Sequence, residues 1–343
     1  MPYLEEPIPG SPGVGRSDTL VVRRVRSGGV TDDAFDEFSF LPDQAREIGR
    51  TAPIPPVTRL ALTLPDGRRL SALHYGDEPP AVTFLHGAGL NAHTWDTTVL
   101  ALDLPALAID LAGHGDSSWR NDLDYSPRSL AADIAAALPV WTDQPQVLVG
   151  HSLGGLTAAS LAHAHPELVR RLVIVDITPG VDPNAGPRQV RDFFAGPSDW
   201  ATREELVDRA LAFGLGGTRA AARRGVYLNS RVRPDGRVEW KHHFAHLAAA
   251  MAQADAAAPA PSDTASPDAL GGLLSESGWS DLAAIAAPIL LVRGDRGYVT
   301  GPDAEEFARR VPNASVTVVH AHHNVHEEIP VELAEVIRRA AAS

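Results

Sequence analysis

The stretch Gly150-His151-Ser152-Leu153-Gly154 has the residue types and spacing of an activated serine. It follows the apolar run "QVLVG" and opens the Ala-rich run "LGGLTAAS". A serine on a tight strand-to-helix turn is forced outward, and small residues on either side permit the close approach this needs. The unpaired N–H groups at the start of the helix then favour negative charge developing nearby. The chemistry implied is nucleophilic attack by Ser152, with Leu153 N–H as one oxyanion donor.

A second donor is expected from "HGAG", residues 86–89, placed after an earlier apolar run; the nearest candidate is the N–H of Ala88. A base is expected from "VVHAHHNVHEEIP", where His320, His322, His323 and His326 crowd seven positions. One histidine after a last strand can act as general base, whereas four together could also bind a transition metal. No acidic cluster elsewhere completes a metal site, so the base is preferred and no cofactor is expected. In "DLAGHGDSS", Asp110, His114 and Asp116 are read as parts of a close-packed loop.

These residues must be positioned by a scaffold, and the hydrophobic pattern supplies one. "RLALTL" and "LSALHYG" flank the turn "PDG" and read as a hairpin. Runs at 81–85, 106–110, 146–150, 171–176, 288–292 and 315–319 then alternate with helical stretches, which predicts an α/β fold: a mostly parallel sheet with helices on both faces. The alternation breaks over 179–280, read as a mainly helical lid inserted between 57–178 and 281–343. Within it, 252–270 has too little apolar content for a core and reads as a mobile linker. Residues 1–56 are an N-terminal extension with one helix near "DQAREIG" and no visible chemistry.

Composition narrows the function. A net charge of −13 argues against binding a phosphate backbone. The absence of cysteine removes thiolate nucleophiles, thiolate metal sites and disulfides. With no secretion-signal pattern and no apolar run long enough to span a bilayer, a cytoplasmic protein acting on a small molecule is expected, with no membrane partner.

The motifs "HGAG", "GHGDSS", "GHSLGG" and "HNVHEE" together resemble the α/β-hydrolase superfamily over about 57–343. The resemblance implies the chain order Ser, acid, His, and places the base at His323, with His322 where the family usually has glycine. The commonest acid position after the seventh core strand falls on Gly297 or Tyr298, neither acidic. An alternative arrangement puts the acid after the sixth strand, at Asp176. There "RLVIVDITPG" resembles a group of small bacterial esterases that also share the "GDRGYV" loop. Asp176 is therefore the expected acid and Asp295 the alternative. A serine in place of an aspartate nucleophile disfavours epoxide and haloalkane hydrolysis.

The activity implied is cleavage of a carboxylic ester, thioester or lactone. The alternatives are a lyase or carbon–carbon bond hydrolase, or a non-enzymatic receptor on the same scaffold. Phe193, Phe194, Trp200, Tyr227 and Trp240 of the lid are candidates to line a pocket for an apolar acyl or ring substrate, or else form the lid's own core.

Overall fold

The computed structural model describes residues 22–25, 35–181, 197, 199–213, 216–247 and 277–342. Its frame is a nine-stranded sheet of order β1-β2-β3-β5-β4-β6-β7-β11-β12. The strands are β1 (Val22–Val25), β2 (Val57–Thr63), β3 (Arg69–Tyr75), β4 (Val82–Leu85), β5 (Ala106–Asp110), β6 (Gln146–His151), β7 (Val169–Val175), β11 (Ile289–Gly294) and β12 (Ala314–Val319). From β5 through β12 every neighbouring pair is parallel, while β1, β2 and β3 add antiparallel at one side. The predicted α/β class and all eight predicted core strands are present.

Why these runs form central strands is visible in their partition. Along β6 and β7, Leu148, Leu172 and Ile174 join one buried cluster, while Val147, Val149, Val173 and Val175 join another. Successive side chains of a strand point to opposite faces, so a continuous apolar run suits a sheet covered on both. One face is covered by α3 (Pro127–Trp141), α4 (Leu153–Ala164), α7 (Ser277–Ala284) and α8 (Gly301–Arg310). The other receives α2 (Asp96–Leu102) and α10 (Pro330–Ala342), with the short α9 (Val325–Glu328) before it. Helix starts are marked chemically: Ser126 caps α3 with Pro127 behind it, and Thr300 and Asp303 form a capping box on α8.

Between β7 and β11 the described residues build a separate small unit. It holds α5 (Arg203–Ala212), α6 (Arg219–Asn229) and a three-stranded antiparallel sheet β8-β10-β9. Those strands, β8 (Asp199–Trp200), β9 (Ser230–Val232) and β10 (Val238–Trp240), are too short to signal themselves by alternation, so the sheet adds to the helices expected there. The stretch 252–270 lies outside the described residues. No described helix is long and apolar enough to cross a membrane.

The N-terminal segment is tied to this frame. α1 (Leu41–Glu47) packs Leu41 and Ala45 with Leu100 of α2. Just before it, Glu37 reaches a buried ionic group: it pairs with Arg59 (2.5 Å) and His93 (3.1 Å), and His93 also meets Asp96 (3.0 Å). Burial alone would push the Glu37 carboxyl up, yet the hydrogen bonds from His93 and Arg59 hold it down at about 2. Burial likewise opposes charge on His93, but Asp96 and Glu37 raise it to about 9, so its ring donates to both carboxylates.

A carboxyl lowered from 4.5 to about 2 contributes stability above pH 4.5 that fades as pH falls through 2. An imidazole raised from 6.5 to about 9 contributes stability below pH 6.5 that fades as pH rises through 9. The group therefore acts fully from pH 4.5 to 6.5. Glu37→Gln should cost about 2–3 kcal/mol there, with the difference from wild type narrowing below pH 4.5. Denaturant midpoints measured across pH test this; a difference independent of pH would contradict it.

Candidate active site

The central parallel strands end together, and the loops leaving β4, β6, β7, β11 and β12 converge at those ends. Ser152 sits on the turn between β6 and α4 with φ 52° and ψ −123°. A non-glycine residue held there is strained, and such strain persists only where its surroundings enforce it. They do so through close backbone approach: a Cβ on Gly150 would fall 2.3 Å from Gly154 O, and one on Gly154 2.3 Å from Leu85 O. The first helical N–H, that of Leu153, has no partner within its own helix.

The loop 86–89 lies against this turn, since a Cβ on Gly87 would stand 3.2 Å from Ser152 Cβ. His86 holds the loop. Leu111 N–H donates to its Nε2 (3.0 Å), which puts the ring proton on Nδ1, where it is given to Gly87 O (2.8 Å). Asp110, His114 and Asp116 support the same region. Asp110 accepts from Arg59 (2.8 Å), Ala92 N–H (2.8 Å) and Asp116 N–H (3.1 Å), and His114 Nε2 accepts from Gly89 N–H (3.1 Å).

Each of the four crowded histidines has a separate partner. His320 pairs with Asp295 at the surface (2.7 Å), His322 with Glu328 (3.0 Å), and buried His326 meets Thr94 Oγ1 (3.0 Å). His323 Nδ1 lies 2.8 Å from Asp176 Oδ2. The Tyr298 ring stacks on the His323 ring (3.6 Å between centroids, 10° between planes), and the His151 ring lies 4.5 Å from it. Burial and the Asp176 charge push the Tyr298 hydroxyl up to about 12, so it stays neutral. His151 Nε2 also contacts the backbone oxygen of His323 (3.0 Å). The x position of G-x-S-x-G thus ties the Ser152 turn to the histidine loop, a role no sequence signal announced.

Asp176 is fully buried, has φ 51°, and accepts from Gly294 N–H (3.0 Å) and Tyr298 N–H (2.7 Å) besides His323. Three donors compensate a charge that would otherwise be costly to bury. A Cβ on Gly297 would fall 2.2 Å from Asp176 Oδ2. The position where the commoner arrangement has its acid is therefore occupied by the carboxylate of the neighbouring strand. The loop after β11 lends its backbone N–H groups instead.

Three of the five candidate aromatics of 179–280 are among the described residues. Trp200 and Trp240 are buried in the lid's own cluster with Leu206, Val207 and Val226, their rings edge to face at 5.9 Å. Tyr227 packs against Phe35 (5.5 Å) and under Arg223 (4.2 Å). Phe193 and Phe194 lie outside the described residues. Phe244, another of the aromatic residues of 179–280, stands 5.1 Å from His114, ring to ring. Among the described residues no group of three or more His, Asp or Glu side chains is arranged to hold a metal ion.

A serine on a strained turn, an imidazole held by a buried carboxylate, and a glycine loop beside them, all at the strand ends of one α/β sheet, define a class. Residues 84–336 match the alpha/beta hydrolase family, and the chain belongs to it as a hydrolase. The chain is 35% identical over 321 residues to esterase Rv0045c of Mycobacterium tuberculosis, covering 90% of this chain and 98% of the relative. A crystal structure of that esterase superposes with a TM-score of 0.73 at 33% identity, covering 92% of this chain and all of that one. The sn-1-specific diacylglycerol lipase ABHD11 of Mus musculus is 27% identical over 75% of this chain and 80% of its own length. The mycobacterial alignment leaves a tenth of this chain unmatched, less than the first 56 residues. The likeness therefore reaches into the segment that the motifs left outside.

Gly297→Ala should destabilise the fold by about 1–3 kcal/mol, the usual cost of overpacking. Gly301→Ala, where a Cβ meets nothing within 4 Å, should leave the denaturant midpoint in place. Equal midpoints for the two variants would contradict the packing of Gly297 on Asp176.

Proposed function

We propose that the protein hydrolyses a small carboxylic ester through an acyl-enzyme on Ser152. The observation that carries this reading is the 2.8 Å contact of His323 Nδ1 with Asp176 Oδ2, made beside the turn that exposes the serine. With the proton of Nδ1 given to the carboxylate, Nε2 carries the lone pair that can take the Ser152 hydroxyl proton. Serine Oγ attacks the ester carbonyl, and the N–H groups of Ala88 and Leu153 receive the charge that develops on its oxygen. The carbon–oxygen bond of the leaving alcohol breaks as His323 returns the proton to it. Water then repeats the sequence on the acyl group and frees Ser152. Asp176 remains a carboxylate throughout and stabilises the imidazolium while it lasts.

The ester class is supported by the mycobacterial relative, which is named an esterase. Thioesters and lactones present the same carbonyl to the same groups. An apolar acyl group suits the aromatic and aliphatic side chains, among them Phe244, packed beside His114.

Turnover of p-nitrophenyl esters of increasing chain length, with mass spectrometry of the quenched enzyme, tests the mechanism. An acyl mass on the peptide bearing Ser152, and loss of both adduct and turnover in Ser152→Ala, are expected. Retention of turnover within tenfold by that variant would refute the mechanism.

Asp176→Asn should lower kcat on the order of 10⁴-fold, because the amide favours the wrong tautomer of His323. Asp295→Asn, which alters only the exposed pairs with His320 and Arg296, should stay within about tenfold. The opposite ranking would move the acid to Asp295.

A further inference from the structure

The loop proposed to supply an oxyanion donor contains two glycines and cannot hold its own shape, so each of its peptide planes needs an external anchor. A peptide unit is planar and trans, and fixing either its C=O or its N–H fixes the direction of the other. The plane joining Gly87 and Ala88 is held through Gly87 O, which accepts from His86 Nδ1–H (2.8 Å) and Leu90 N–H (3.2 Å). The next plane is held through Gly89 N–H, which donates to His114 Nε2 (3.1 Å). Both of those side chains belong to the sheet's own loops.

The third plane is different. Gly89 O accepts from Asn229 Nδ2, and Asn229 is the last residue of α6, in the lid. The Asn229 side chain is buried, and its orientation is set by Asn91. Asn91 Nδ2 donates to Asn229 Oδ1 (3.3 Å) and to Leu228 O (3.2 Å). Asn91 Oδ1 in turn accepts from His93 N–H (2.9 Å). On the lid side, Asn229 O accepts from Lys241 N–H (2.9 Å), tying the residue to the segment that follows β10. α6 is itself held by the N-terminal segment, through Arg224 to Glu47 (3.0 Å) and Tyr227 to Phe35 (5.5 Å).

We propose that Asn229 is a positioning residue: by gripping Gly89 O it fixes the plane whose N–H, that of Leu90, donates to Gly87 O, and so steadies the plane that aims Ala88 N–H at the developing oxyanion. The inference rests on the ester-hydrolase reading above. It assigns to a lid residue an effect on the chemical step rather than on substrate binding. Asn229 touches no reacting atom, and its action passes through the Gly89–Leu90 plane and Gly87 O to Ala88.

Asn229→Asp tests this with little change of shape, since the carboxylate keeps the acceptor toward Asn91 and loses the donor to Gly89 O. The measurements are kcat and KM on a p-nitrophenyl ester, and the affinity for a trifluoromethyl ketone that forms a hemiketal on Ser152. kcat should fall ~10–100-fold, less than the ~10²–10³ that follows outright removal of an oxyanion donor. KM should stay within about threefold, and ketone affinity should fall in parallel with kcat. Asn229→Ala should behave likewise, and is read in place of the aspartate variant should that one not fold. A raised KM with kcat intact, a kcat within twofold of wild type, or unchanged ketone affinity would each overturn the proposal. A wild-type enzyme that neither turns over esters nor reacts with a fluorophosphonate would overturn the ester-hydrolase reading and this one together. A fully active wild type matched by its Asn229 variants would overturn this one alone.

Discussion

A carboxylate buried at the end of a strand is the constraint on which the site depends. Asp176 has no access to water, so its charge must be met by protein donors or be lost. Two of the three donors are backbone N–H groups, one from Gly294 at the end of β11 and one from Tyr298 in the loop after it, and the third is His323. The loop approaches closely enough because position 297 has no side chain. Tyr298, whose N–H completes the set, also lays its ring on the imidazole. Compensation of the Asp176 charge, orientation of the His323 ring and the course of the loop are thus one arrangement. A change to any member leaves a buried charge short of a partner.

A second buried charged group stands behind the glycine loop rather than in the site. Arg59 on β2 binds Glu37 from the N-terminal segment and Asp110 from the end of β5, while Asp110 also receives Ala92 N–H from the chain just beyond 86–89. Asp116 continues the group to Lys241 of the lid (3.0 Å). The network therefore links five parts of the chain remote in sequence. Buried ion pairs of this kind are expensive to form and costly to break singly, which makes them better at fixing an arrangement than at adding stability. The segment before β2 is in this way part of the support of the site.

Hydrolysis of an acyl group needs its donors aimed before the charge appears, because reorganisation during the reaction would forfeit most of the benefit. Each peptide plane from Gly87 to Leu90 has an anchor of its own. His86 and His114 are kept neutral by burial, so each can accept a backbone N–H. The third anchor, Asn229, comes from the unit inserted between β7 and β11. Lid and loop meet through side-chain amides rather than charges, which gives direction without a large desolvation cost.

Much of this was legible in the chain before any fold was known. The turn around Ser152, the alternation of strands and helices and the glycine loop at 86–89 are local patterns, set by chain stereochemistry and by burial on both faces of a parallel sheet. The sequence also named Asp176, Asp295 and four histidines as candidates, but their pairing is a matter of which strand ends lie side by side. Only the order β6-β7-β11-β12 brings Asp176 beneath the loop that carries His323 and sends Asp295 outward to His320. Glu37, His93, His151 and Asn229 left no local mark, because each works through a partner at least 56 positions away. The same holds for Trp200 and Trp240. Composition marks them as aromatic, and tertiary packing alone placed them inside the lid's own core.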